Sequence, residues 1–194
     1  MRLGVLVSGR GSNLEAMLDG GLDVAMVIGN RPGVRALAVA ARHGVPAHVL
    51  RRGDFSDAPA RDGAIGRLLA AAGVELAVLA GYDQLLRPSY FAAFDGRTIN
   101  VHPSLLPAHG GAGMMGMEVH RSVLSCGDAE TGVTIHEVTP ELDAGPILAQ
   151  ARVPVFAGDD AEAVAARVLT EEHRLLVETV RSLSGATATV VATA

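Results

Sequence analysis

The sequence predicts an α/β fold: a mostly parallel, doubly wound sheet with helices on both faces and an antiparallel addition in the C-terminal half. Three observations carry this. Through the first half of the chain, short apolar runs alternate with stretches whose apolar residues recur at helical spacing. The runs are continuous rather than alternating, as in strands buried on both faces. Beyond Pro107 that order gives way to a glycine-rich loop and two strand-like runs joined by a tight turn.

Leu3-Gly4-Val5-Leu6-Val7 reads as the first buried strand, ended by Ser8-Gly9-Arg10-Gly11. Ser12 or Asn13 is placed to cap a short helix carrying Leu14, Met17 and Leu18. Val24 to Ile28 reads as a second strand, Arg35 to His43 as a second helix, and Ala47 to Leu50 as a short third strand. Ile65, Leu68 and Leu69 fall on one side of a helix read from Ala60 to Ala72, and Glu75 to Leu79 is a fourth strand. A helix that includes Tyr90 and Phe91 leads to a fifth strand, Thr98 to His102. His102-Pro103-Ser104-Leu105-Leu106-Pro107 fits neither helix nor central strand, because its two prolines remove backbone donors. Met117 to Ser125 reads as helix. Gly132 to Val138 and Ile147 to Val155 read as paired strands around the turn Glu141-Leu142-Asp143-Ala144-Gly145-Pro146. Asp159 or Asp160 opens a long final helix, with Glu162 in its first turn favouring the helix dipole.

The 194 residues suffice for one domain with a sizeable core. Mean hydropathy is high at +0.31, yet the apolar runs, such as that around Leu76 to Ala80, fall far short of the roughly 20 residues that cross a bilayer. No charged segment followed by an apolar one opens the chain, so no secretory signal is read. The single cysteine, Cys126, forms no internal disulfide and no cysteine-based zinc site, and reads as a buried thiol. A net charge of −5 without any basic block argues against nucleic acid. All 16 cationic residues are arginine, which excludes lysine Schiff bases and the phosphate lysine of a P-loop. These bounds describe a cytoplasmic, single-domain enzyme.

Gly9-Arg10-Gly11-Ser12-Asn13 joins the first strand to the first helix. A helix N-terminus built from small residues offers backbone N–H groups and a positive dipole end to a phosphate. Leu14 stands where a dinucleotide fingerprint needs its third glycine, so a phosphomonoester fits better. The same residues also serve a tight turn that needs glycine. In the fifth strand, period two puts Asn100 and His102 on one face. An amide beside an imidazole at a strand's carboxyl end is what acyl transfer requires: an oxyanion donor and a proton carrier. A strand-end histidine also occurs as a structural residue. Asp143, before Gly145-Pro146, is either a turn-former or a partner that favours the imidazolium form of His102. His43, His48, His109, His120, His136 and His173 show no metal-binding spacing, and no metal is expected.

Three segments carry a resemblance: Val7-Ser8-Gly9-Arg10-Gly11-Ser12-Asn13-Leu14, Asn100-Val101-His102-Pro103-Ser104-Leu105-Leu106-Pro107, and Glu141-Leu142-Asp143-Ala144-Gly145-Pro146. In them, and over nearly its whole length, the chain resembles the phosphoribosylglycinamide formyltransferases, a branch of the folate-dependent formyltransferase family. Ala80-Gly81-Tyr82 and Glu171-Glu172-His173 extend the likeness. The resemblance implies a Rossmann-like fold and one formyltransferase domain over 1–194, with nucleotide binding in 1–100 and catalysis and folate binding in 100–194. It implies transfer of a formyl group from the co-substrate 10-formyltetrahydrofolate to the amine of glycinamide ribonucleotide, in purine biosynthesis, by a monomer or homodimer without metal, nucleic acid or membrane partners. Asn100, His102 and Asp143 would be catalytic; Gly11, Ser12 and Asn13 would hold the substrate phosphate, and Glu172 would contact the nucleotide. Asp83, Gln84, Leu85, Leu86, Asn100, Thr139, Pro140, Glu141 and Leu142 would form the folate pocket, largely through backbone groups.

The chain departs from the family pattern in places. Asp83-Gln84 replaces a common Met-Arg, Leu169 replaces a polar residue near the phosphate, and the arginine expected after Phe55 falls at Ala58 or, displaced, at Arg61. The Gly110 to Met117 loop is longer than usual. A formyltetrahydrofolate deformylase shares the trio but usually carries an extra N-terminal domain, whereas the first strand here begins at Leu3. A methionyl-tRNA formyltransferase would need a C-terminal RNA-binding domain, and a non-catalytic folate or phosphate sensor has no use for an intact trio. Four glycines between Gly110 and Gly116 make ordering the loop costly, at about 1 to 2 kcal/mol of backbone entropy per residue, as suits a cover that closes over substrates and excludes water. Amide hydrogen exchange should therefore slow across this loop when both substrates bind; unchanged protection would leave it an ordinary surface loop.

Overall fold

Strand β1 (Leu3–Val7) is buried along its whole length and lies between two parallel neighbours, which is why all five of its positions tolerate only apolar or minimal side chains. Residues 1–190 are described by this computed structural model, with side chains through Gly185; residues 191–194, the end of the expected domain, lie outside the described residues. The chain divides into two compact units, one built on Met1–Ile99 and the other on Asn100–Thr189.

In the first unit the order of elements is β1, α1 (Ser12–Asp19), β2 (Val24–Gly29), α2 (Arg35–Arg42), β3 (Ala47–Val49), a 3-10 turn at Arg52–Asp54, α3 (Ala58–Ala71), β4 (Leu76–Leu79), α4 (Pro88–Phe91) and the start of β5 (Arg97–His102). The hydrogen-bonded strand order is β3-β2-β1-β4-β5, and β1 pairs in parallel with both β2 and β4. Successive crossovers thus run to one side of β1 and then return to its other side, leaving a switch point at its carboxyl end, the place where open α/β sheets bind ligands. Ser8 sits there, its N–H donating to Gly81 O at 3.2 Å. Asp57 caps α3, accepting Ala60 N–H at 2.7 Å. Tyr90, fully buried in α4, meets Thr98 Oγ1 of β5 at 2.9 Å, so the polar residue that alternates into β5 at this level is satisfied inside the core.

The second unit holds the end of β5, α5 (Met117–Cys126), β6 (Glu130–Glu137), β7 (Ile147–Pro154) and α6 (Ala161–Val190). Its strand order is β5-β6-β7, with β6 and β7 antiparallel as their short connecting turn requires. Here the proline-broken segment after His102 finds its partners in β6 and β7. Thr134 Oγ1 donates to Ser104 O at 2.6 Å and accepts Leu106 N–H at 3.0 Å. Gln150 Nε2 adds a bond to Leu106 O at 3.0 Å. Asp160 caps α6 through Ala163 N–H at 2.8 Å.

Two expectations are corrected. Neither Ser12 nor Asn13 caps α1; Gly11 does, at φ 77°, with its carbonyl accepting Glu15 N–H at 2.9 Å. The chain leaves β1 through Ser8, Gly9 and Arg10 and turns into the helix at Gly11, in the left-handed region that glycine adopts without steric cost. Cys126 is exposed rather than buried: it ends α5 immediately before Gly127, one turn beyond the covered residues Val119, His120 and Val123.

A Cβ on Gly11 would stand 2.6 Å from Ala36 Cα, backbone of the neighbouring helix. Gly11→Ala should therefore lower unfolding free energy by about 1 to 3 kcal/mol, read from urea denaturation. Gly9→Ala, where a Cβ meets open space, should stay within about 0.5 kcal/mol.

Candidate functional site

The residues expected to bind ligands fall in both units. Gly11, Ser12 and Asn13 open α1 in the first unit, with no side-chain cap on the helix start. Asp83, Gln84, Leu85 and Leu86 follow β4 in the same unit. Asp83 is held on three sides: its N–H donates to Ser8 Oγ at 3.0 Å, and its carboxylate accepts from Asn30 Nδ2 at 2.6 Å and from the Arg31 guanidinium. Its side chain thereby ties the β4 exit to the ends of β1 and β2. Leu86 is buried and Leu85 exposed.

Asn100, His102, Asp143, the stretch Thr139 to Leu142 and Glu172 belong to the second unit. Glu172 is half-buried on α6. Thr139 Oγ1 donates to Glu141 O at 3.1 Å, and Leu142 is exposed. The β6–β7 turn is closed by Glu137 N–H donating to Pro146 O at 2.9 Å. Gly145 lies so close to β6 that a Cβ would stand 1.9 Å from Glu137 O. This tight return presents Asp143 in the left-handed region at φ 52°, which Asp adopts more readily than most residues.

The trio meets through a fourth side chain. Asp143 Oδ2 accepts Gly111 N–H at 2.9 Å and lies 3.8 Å from His102 Nδ1. Asp143 Oδ1 lies 3.7 Å from His136 Nε2, and Asn100 Nδ2 is 3.1 Å from that same nitrogen. Backbone carbonyls assign the protons. His102 Nε2 lies 2.9 Å from His109 O; a carbonyl only accepts, so Nε2 carries hydrogen and Nδ1 is the nitrogen whose protonation can change. By the same argument His136 Nδ1 donates to Glu137 O at 2.9 Å. Neutral His136 then accepts an Asn100 amide hydrogen at Nε2, and the second hydrogen on Asn100 Nδ2 is left for a ligand.

Burial pushes His136 below the ordinary histidine range; the Glu137 carbonyl and Asp143 oppose the shift, and the His102 charge adds to it. His120 is lowered in the same way, first by burial and then by His102. Both therefore favour the neutral form, which His136 needs in order to accept from Asn100. Nothing in the chain's histidine spacing singled out His136. Period two relates it to Thr134, and its partners Asn100 and Asp143 come from β5 and the β6–β7 turn, which the pattern of its own strand does not mark. Among the described residues no group of three or more His, Cys, Asp or Glu could hold a metal ion, and no helix is long and apolar enough to cross a membrane.

Lowered histidines give stability a defined sign. Below the ordinary histidine value of 6.5 the unfolded chain takes up protons that folded His120 and His136 refuse, so their contribution is complete above that pH and is lost as pH falls through the folded values. Stability should decline on acidification with a slope approaching about 1.4 kcal/mol per pH unit for each histidine. His136→Gln should remove one of the two slopes, as denaturant midpoints at pH 7 and pH 5.5 would read.

Comparison with known proteins agrees with this architecture. Residues 1–180 match the family described as formyl transferase. Phosphoribosylglycinamide formyltransferase of Escherichia coli is 38% identical over 181 residues, covering 90% of this chain and 83% of that protein. The trifunctional purine biosynthetic protein adenosine-3 of Drosophila melanogaster is 38% identical over 180 residues, of which the chain spans only 13% of that much longer protein and 89% of its own length. The crystal structure of glycinamide ribonucleotide transformylase 1 from Symbiobacterium toebii superposes with a TM-score of 0.88 at 42% identity, covering 93% of this chain and 86% of that one. With a seven-strand, mostly parallel sheet ending in antiparallel strands and a match over nearly all its length, the chain belongs to the formyl transferase family.

Proposed function

We propose that this chain moves the formyl group of 10-formyltetrahydrofolate to the amine of glycinamide ribonucleotide, releasing tetrahydrofolate, as a step of purine biosynthesis. It acts in the cytoplasm on small molecules, as one formyltransferase domain over 1–194 and as a monomer or homodimer. Residues 1–100 supply the nucleotide half and 100–194 the catalytic and folate half. Gly11, Ser12 and Asn13 take the substrate phosphate at the dipole end of α1, and Glu172 contacts the nucleotide. Asp83, Gln84, Leu85, Leu86, Asn100, Thr139, Pro140, Glu141 and Leu142 line the folate, and no metal takes part.

The observation that supports this reading most directly is the pairing of His102 Nδ1 with Asp143 Oδ2 at 3.8 Å, beside an Asn100 amide oriented by His136 at 3.1 Å. The amine nitrogen attacks the formyl carbon, and the carbonyl π electrons move onto oxygen. Asn100 Nδ2–H and protonated His102 Nδ1–H donate to that oxyanion as it forms. The oxyanion re-forms the carbonyl as the carbon–nitrogen bond to the folate breaks, His102 Nδ1–H passes its proton to the departing nitrogen, and the vacated Nδ1 takes the proton that the attacking nitrogen releases. Asp143 faces Nδ1 and keeps the ring aimed. No covalent enzyme intermediate forms.

The test is acceptor-dependent turnover. Tetrahydrofolate release should require glycinamide ribonucleotide, and His102→Ala or Asp143→Asn should each lower kcat by about 100- to 1000-fold in a folded protein. Equal turnover with water as acceptor would make the chain a deformylase. No product with any acceptor would leave a binding module.

A further inference from the structure

The His102 imidazole meets a carbonyl from a residue whose own side chain is anchored outside the trio, on Ser122 and Asp128. His109 stands in the loop after Pro107 with a left-handed backbone, φ 52°. This is uncommon for a residue carrying a ring, and surrounding contacts must hold it. They do. His109 Nε2 lies 2.6 Å from Asp128 Oδ2, and His109 Nδ1 lies 2.8 Å from Ser122 Oγ. Both ring nitrogens are engaged at once: Nε2–H donates to the carboxylate, and Nδ1 accepts the serine hydroxyl hydrogen. Asp128 follows α5 and Ser122 lies within it, so the clamp fastens the loop to that helix. Its other end is the His109 carbonyl, 2.9 Å from His102 Nε2. On the far side of the loop, Gly111 N–H donates to Asp143 Oδ2 at 2.9 Å. One short segment therefore positions both the histidine and the carboxylate of the trio.

We propose that His109 is a positioning residue: its imidazole, clamped between Asp128 and Ser122, places its own carbonyl to take His102 Nε2–H, so that Nδ1 is the nitrogen presented to Asp143 and to the reacting formyl group. Ser122, Asp128 and His109 do not form a nucleophilic triad. Ser122 lies in the middle of α5, and its carbonyl already accepts Ser125 Oγ–H at 2.9 Å, with the helix wall rather than an oxyanion cradle around it. The clamp acts on the tautomer and aim of His102. It touches neither substrate, so it governs the chemical step and leaves binding alone.

This inference rests on the proposed proton role of His102, and the experiment separates the two. His109→Phe keeps a ring of similar size without nitrogens, and Asp128→Ala removes the carboxylate at a partly exposed position. Each should lower kcat by about 10- to 100-fold, the scale of a small misplacement of a catalytic group, with KM for both substrates and thermal midpoint little changed. Asp128→Asn keeps an acceptor oxygen for His109 Nε2–H and should recover most of the loss. Nitrogen-15 NMR of the histidine rings reads the same effect without turnover. In the unsubstituted protein, neutral His102 should carry its hydrogen at Nε2 alone, and in His109→Phe it should become a mixture of tautomers. Unchanged kcat and an unchanged His102 spectrum in His109→Phe, while His102→Ala abolishes turnover, would overturn the positioning role and spare the proposed function. Full turnover by His102→Ala would overturn the proton role of His102, and the NMR result would still report whether the clamp sets the tautomer.

Discussion

The second unit of this chain is organised around one carboxylate held where a carboxylate is expensive to hold. Asp143 is about a tenth exposed, lies within 4 Å of two imidazoles, and takes a backbone N–H from Gly111. An unpaired carboxylate removed from water costs several kcal/mol. Its position is therefore stable only if other groups converge on it with the right polarity. The β6–β7 turn, the loop at Gly111 and β5 through His102 all do so. Each element is constrained because Asp143 is there.

That convergence explains the division of labour among the histidines. His102 and His136 each surrender one ring nitrogen to a backbone carbonyl, at His109 O and Glu137 O. The remaining nitrogen of each ring faces Asp143. The outcomes differ because their neighbours differ. Burial keeps His136 neutral, so it accepts from Asn100 and orients the amide. His102, with Asp143 on its Nδ1 side, is the ring suited to carry a proton to and fro. Two chemically identical residues thus present different nitrogens, one accepting from Asn100 and the other facing Asp143, through hydrogen bonds made by the backbone around them.

The first unit follows a different logic. Its β1–α1 turn stands at the switch point of a parallel sheet, and the character of that turn comes from backbone geometry. Gly11 has no room for a side chain against Ala36, so the helix begins close to the strand end. Asp83, Asn30, Arg31 and Ser8 lace the neighbouring loops together through side chains, and the rim of the sheet is held without any contribution from the trio.

Much of this was written in local sequence. The α/β class, the order of strands and helices, the Gly11-Ser12-Asn13 turn and the shared face of Asn100 and His102 all follow from periodicity, glycine placement and the two-residue repeat of a strand. Boundaries moved only by a residue or two: β2 extends to Gly29 and α3 begins at Ala58. Asp143 was visible as a turn residue with two readings, and its partners belong to other elements. His136 carries no mark in its own strand, since its partners Asn100 and Asp143 belong to other segments. His109 read as one histidine among several, because its part is played by a carbonyl, which every residue has and no sequence pattern marks. Local sequence determined the elements and the chemical groups they carry, since propensity and period act over a few residues. Tertiary structure alone decided which nitrogen faces which oxygen, because that depends on pairings between segments far apart in the chain.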